Sequence, residues 1–116
     1  MKKVKYYKKI KKDEKIWFSE SWGEPIDVSL MNGKTLHLMC EFIRGDGWKI
    51  TDSETGLLAQ TKVIPTKKQL MEYVKDKDLL VAFSRVTNTE YYARQKDELT
   101  EFLKKINETE NLPLND

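Results

Sequence analysis

Residues 26–42 read IDVSLMNGKTLHLMCEF, two alternating apolar runs on either side of an Asn-Gly pair, and they decide how the first half of the chain folds. Ile26, Val28 and Leu30 alternate with polar residues, and Leu36, Leu38, Cys40 and Phe42 do so again. Period-two alternation puts each set on one face of a strand. A two-residue Asn32-Gly33 turn would set Val28 opposite His37 and Ile26 opposite Met39, splitting the apolar sets between faces. A three-residue loop sets Val28 opposite Leu36 and Ile26 opposite Leu38, which gives the hairpin one apolar side. The expected form is therefore the three-residue loop with Gly33 left-handed.

The flanking segments extend this hairpin into a meander. RGDG at 44–47 leads into a strand over Trp48–Thr51, and DSETG at 52–56 leads into another near Leu57–Lys62. Upstream, Val4, Tyr6 and Ile10 occupy even positions while Lys3, Lys5, Tyr7, Lys9 and Lys11 occupy odd ones, a strand pattern over residues 3–11. The spacing of Val4, Tyr7 and Ile10 also suits a helix, but the β-rich neighbourhood favours the strand. Ile16–Phe18 reads as a short second strand before a SESWGEP loop interrupted by Gly23 and Pro25.

The second half changes period. Thr66 followed by Gln69 is a capping-box pattern opening a helix to about Asp76, with Leu70, Met71, Tyr73 and Val74 on its apolar side. Leu79–Phe83, LLVAF, is apolar on both faces and reads as a buried central strand. Thr87 with Glu90 reads as a second capping box, opening the longest helix to about Asn107, with Tyr92, Leu99, Phe102, Leu103 and Ile106 on one stripe. The tail from residue 108 to 116 is expected to fray. The expected architecture is one α+β domain over residues 1–116: a twisted antiparallel sheet of about five strands, with two helices from the C-terminal half packed on one face.

Composition bounds the function. Hydrophobic residues make up 39% of the chain and aromatics 10%, enough for a folded core. No long apolar stretch and no signal-peptide apolar segment is present, and the lone Cys40 precludes an internal disulfide, so a soluble cytoplasmic protein away from membranes is expected. The net charge of +2 is unevenly spread: residues 1–15 carry eight lysines against Asp13 and Glu14, while residues 16–116 hold 13 basic and 17 acidic side chains. Of the basic residues 18 are Lys and three are Arg, which disfavours base reading through bidentate Arg forks.

No catalytic pattern is complete in the sequence. Asp46, Asp52 and Glu54 are calcium-ligand types, but no register supplies an EF-hand spacing, and turn chemistry accounts for them. His37 and Cys40 are the one histidine and the one cysteine, and their odd separation on a strand points them to opposite faces, with Cys40 inward. A divalent-metal nuclease would need Asp27 and Glu41 to converge with Lys49, whereas the hairpin register sets Asp27 near position 37 and Glu41 beyond the end of that arm. Phosphate loops and GxSxG are absent. The expectation is a protein without catalysis, cofactor or metal.

Binding features remain. Lys3, Lys5, Lys9 and Lys11 with Tyr7 between them would track a nucleic-acid backbone, or an acidic protein surface, or simply protect a sheet edge. Asp97, Glu98 and Glu101 give the last helix an acidic side that can imitate phosphates, and Trp17 and Trp22 are candidate anchors, with Trp48 a candidate whose rival role is the core. The run Trp48-Lys49-Ile50-Thr51, then Thr55-Gly56, then Thr66-Lys67-Lys68, with the Lys-rich, Ala-poor composition, resembles the strand, turn, strand, helix module in small accessory proteins of phages and mobile elements of low-GC bacteria. The resemblance covers about residues 47–75. It implies a short non-enzymatic protein binding a host or phage macromolecule; some such proteins inhibit defence nucleases, including CRISPR effectors. The leading expectation is a binder that covers a charged surface of a nucleic-acid-handling protein. The alternatives are nonspecific DNA or RNA binding through the N-terminal strand, and the metal nuclease.

Overall fold

The computed structural model describes residues 3–110. Four strands, β1 (Val4–Lys12), β2 (Lys15–Ser29), β3 (Thr35–Ile43) and β4 (Gly47–Asp52), are followed by three helices, α1 (Lys67–Tyr73), α2 (Lys77–Val86) and α3 (Glu90–Glu110). The strands pair antiparallel in sequence order. No helix among the described residues is long and apolar enough to cross a membrane.

The β2–β3 hairpin takes the three-residue form. Val28 pairs with Leu36 and Ile26 with Leu38, the Leu30 N–H donates to the Lys34 carbonyl, and Gly33 has a φ of 82°. Its apolar side, with Ile50 from β4, Ile64, the α1 residues Leu70 and Tyr73 and the Val74 that caps α1, forms the main core. Leu38, Ile50, Ile64 and Leu70 are almost fully buried, each stabilising the fold by about 1.5–3 kcal/mol of transfer free energy.

Sheet and helices differ from expectation in four places, each for a local reason. The short strand at Ile16–Phe18 is the start of a 15-residue β2 that continues through Gly23 and Pro25. β1 stops pairing at Gly23, so Pro25 lies on a stretch with β3 as its one neighbour, where a strand tolerates proline. The strand expected at Leu57–Lys62 is reduced to isolated bridges, Thr51 with Leu58 and Trp48 with Ile64. In its place the Gln60 side-chain amide accepts from the Ile50 N–H and donates to the Trp48 carbonyl, standing in for a strand backbone.

LLVAF is helical, within α2. A run this short fits either period, and the local signal that decides is Asp76, whose carboxylate caps the Leu79 N–H at 3.0 Å. The β4 edge it would have joined is occupied by Leu58, Ile64 and Gln60. Finally, α3 is capped by Thr89, which accepts from the Tyr92 N–H at 3.1 Å; Thr87 closes α2. Helix α3 runs on to Glu110, so the tail expected to fray from 108 is helical at 108–110, and its remainder lies outside the described residues.

The β1–β2 ribbon folds across the sheet. Glu41 belongs to the face of β3 opposite Leu38 and Cys40, yet it accepts hydrogen bonds from Ser21 at 2.7 Å, Lys8 at 2.9 Å and Tyr6 at 3.4 Å, all on the ribbon. Tyr6, Met39 and Thr51 are buried between the two layers. On the ribbon's other side the Lys9 N–H donates to the Gly56 carbonyl at 2.8 Å, closing β1 against the turn after β4. Burial pushes the Glu41 carboxyl up, but the hydrogen bonds from Ser21 and Lys8 and the Lys8 charge outweigh it and leave the group below its ordinary value.

The fold-over depends on Gly23. A Cβ there would lie 2.7 Å from the Cys40 carbonyl oxygen and 3.1 Å from the Tyr6 ring, with backbone as the nearer obstacle. Gly23→Ala is therefore expected to lower unfolding free energy in urea by about 1–3 kcal/mol, the usual cost of overpacking. A stability equal to that of the parent chain would contradict the close approach.

Candidate partner-binding site

The start of β2 and the middle of α3 meet along an open groove of ≈ 530 Å³. Two ring contacts fix the helix there: Phe102 packs edge-on against Tyr7 at a centroid distance of 5.3 Å and tilted against Phe18 at 4.9 Å. The helical spacing of Gln95, Leu99 and Phe102 supplies the inward stripe, with Leu99 2% exposed. Lys9 completes the attachment, donating to Gln95 Oε1 and to Glu98 Oε2, the latter at 2.6 Å.

Four of the candidate binding residues therefore share one site. Trp17 and Ile16 stand open on the β2 wall, 44% and 55% exposed, and Asp97, Glu98 and Glu101 line the α3 wall with Lys105. Tyr7 and Lys9, expected on a free basic stripe, are instead held in the ribbon–helix joint, and the Lys9 side chain keeps 11% of its exposure. Lys3, Lys5 and Lys11 remain exposed on β1 and its approach, so the stripe is interrupted where it meets Glu98. The basic and acidic features that the sequence separates by 89 positions are adjacent in space. Ile16 and Phe102 belong to the site although sequence reasoning placed them elsewhere; the signal for Phe102 was its place on the same stripe as Leu99.

Trp22 lies at the other end of the ribbon, opposite Lys5 and 53% exposed. It shares the β2 face of Glu24, whose partner Cys40 precedes Phe42 by one pleat, so Trp22 and Phe42 point to the same side. Phe42 is 55% exposed and meets Trp48 edge-on at 5.7 Å, while Lys67 sits 5.8 Å above the Trp48 ring and pairs with Glu24 at 3.3 Å.

The residues tested for catalysis fall apart geometrically. Asp27 pairs with His37 as the hairpin register requires, while Glu41 is committed to Ser21, Lys8 and Tyr6. Cys40 lies on the core face, 1% exposed, and burial together with the Glu24 charge pushes its thiol up to about 12, which withholds the thiolate at neutral pH. His37 is on the opposite face. Asp52, expected to shape a turn, does so: its carboxylate accepts from the Glu54 N–H at 3.0 Å and its carbonyl from the Gly56 N–H at 2.7 Å. It also accepts the Tyr92 hydroxyl at 2.6 Å, anchoring the first turn of α3. Among the described residues no three His, Cys, Asp or Glu side chains gather as a metal site.

Comparison with protein-family models, with curated proteins and with solved structures finds no similar protein.

His37 gives a local probe of the sheet's charged face. Its Nδ1 lies 2.8 Å from Asp27 Oδ1, and its Nε2 3.8 Å from Glu54. The hydrogen bond to Asp27, against a smaller opposing effect of burial, raises its midpoint above the ordinary 6.5. Protonated His37 therefore favours the folded chain: its contribution is complete below 6.5 and fades as pH rises through the higher folded-state midpoint. A ¹H NMR titration of this single histidine should show a midpoint above 6.5 that falls in Asp27→Asn. An unchanged midpoint in the variant would refute the pairing.

Proposed function

We propose that this chain is a non-enzymatic binding protein that covers a basic surface of a nucleic-acid-handling protein, in the manner of an inhibitor of a defence nuclease. One observation carries this reading. An exposed indole and an exposed isoleucine stand beside the Asp97 and Glu101 carboxylates on one open groove, with Glu98 held by Lys9, so a single surface offers an apolar anchor and the charge that a phosphate-binding surface is built to receive. The carboxylates provide steering and register, and Trp17 provides buried area on contact. Helix α3, held by Phe102 and Lys9, presents them on a rigid element, which lowers the ordering cost of association.

A second reading has its own support. Trp22, Phe42 and the half-buried Trp48 run across β2, β3 and β4 with Lys5 and Lys67 beside them, a stacking and cationic arrangement suited to single-stranded DNA or RNA. It relocates nucleic-acid binding from the lysine stripe to an aromatic one.

The two readings separate experimentally. Affinity capture from a bacterial host lysate should retain a nucleic-acid enzyme with the parent chain and lose it with Trp17→Ala or with Asp97→Lys/Glu101→Lys, and the captured enzyme should be inhibited by the parent chain alone. Capture indifferent to both variants would overturn the first reading. Fluorescence titration with oligo(dT) and oligo(U) at low salt tests the second: Trp22→Ala and Phe42→Ala should each weaken binding about tenfold or more, on the scale of a lost stacked base. Absence of any binding would remove it.

A further inference from the structure

Helix α2 closes only in part on the core, against which Leu79, Leu80 and Phe83 pack half-buried. It carries the most apolar run of the chain, LLVAF, yet none of its residues is buried. Leu79, Ala82, Phe83 and Val86, spaced to share one helical face, instead line a cavity of ≈ 280 Å³ whose other side is formed by Leu36 and the segment Leu57–Thr61. The space is a cleft open at the surface, with the exposed Leu58, Ala82 and Val86 at its rim. An apolar cavity of about 150 Å³ holds a benzene, so this one has room for a molecule about twice as large. Leu58 and Val86 are 59% and 45% exposed, leaving the cavity open to entry.

The lining also has a chemical bias. Three aromatic rings, Tyr73, Phe83 and Tyr92, contribute to it, and no Lys, Arg or His does among the described residues. The one ionisable pair in the wall is Asp52 with Tyr92. Thr61, Tyr73, Leu79 and Ala82 also line a neighbouring, wider groove bearing Glu72, Asp76 and Asp78, with Lys62 as its single cation among the described residues, poised 5.4 Å over the Tyr73 ring. Such walls oppose an anion and favour a donor or a positive charge.

We propose that the cavity beneath α2 is a binding site for a small aromatic molecule carrying a hydrogen-bond donor, of the size of an indole or an aromatic amine. The ring system fills the space between Phe83 and Leu36, and its N–H or ammonium turns toward the Asp52 carboxylate or the acidic groove. This site is independent of the Trp17 groove and does not rest on the proposed function.

The test uses the full chain with labelled methyl groups, titrated with tryptamine, indole and indole-3-acetate, which share a ring and differ in charge. Saturable shifts confined to the methyls of Leu36, Leu57, Leu79 and Val86 are expected, with the acid bound at least about tenfold more weakly than the amine. Asp52→Asn should reduce that difference. Ala82 is exposed, so Ala82→Trp can fill the cavity without disturbing the core, and should abolish the shifts while the circular dichroism spectrum is retained. The proposal is overturned by any of four results: no saturable shift with any probe, equal affinity for the acid, shifts that survive Ala82→Trp with the fold intact, or the same shifts produced by raising protein concentration alone, which would mean that a second copy occupies the cavity.

Discussion

The Glu41 carboxylate holds the molecule's two halves together. It belongs to the hairpin that builds the main core, but every group that satisfies it comes from the N-terminal ribbon: Ser21, Lys8 and Tyr6. A charge removed from bulk water needs such partners, and here they fix the angle at which the ribbon crosses the sheet. Everything beyond the ribbon inherits that angle. Phe18 and Tyr7 are placed to receive Phe102, Lys9 to reach Glu98, and Trp17 to face the acids of α3. The binding groove is thus a secondary consequence of a half-buried polar junction some distance away.

Charge is organised differently in space than along the chain. A sequence with a basic beginning and an acidic remainder reads as two poles, yet Lys8 and Lys9 point to opposite sides of β1 and are each neutralised, one by Glu41 and one by Glu98. Lys96 and Lys67 similarly pair with Glu54 and Glu24. Most of these contacts are partly exposed and individually contribute little to stability. Their joint effect is on shape, since three of them tie two helices, α1 and α3, to the strands and the turn after β4 through long side chains.

What could be read from the sequence follows the range of the forces involved. The β2–β3 register was legible because burial penalises a one-residue slip at every position at once, from Ile26 against Leu38 to Val28 against Leu36. The α1 cap at Thr66 was legible because it is a contact over three residues. LLVAF was misread because a five-residue apolar run carries no period of its own, and what settled it was a single aspartate before it and a filled sheet edge. Trp17, Asp97, Glu98 and Glu101 were recognisable as surface features, but their convergence depends on a contact between residues 9 and 98 that no local pattern encodes. The same limit hid Gln60, a side chain acting as backbone, and Glu41, whose partners lie 20 to 35 positions away.

The closure of β1 bears on how the chain is made. During synthesis this strand leaves the ribosome before the other strands and the helices, and the groups that finish its environment emerge afterwards in turn: Glu41, then Gly56, then Gln95 and Glu98. Contacts so distant in sequence are slow to form because loop entropy is lost before they are gained. A strand made ahead of its partners is then among the last to settle, and until it does its lysines keep a nascent, half-assembled sheet edge from recruiting its neighbours.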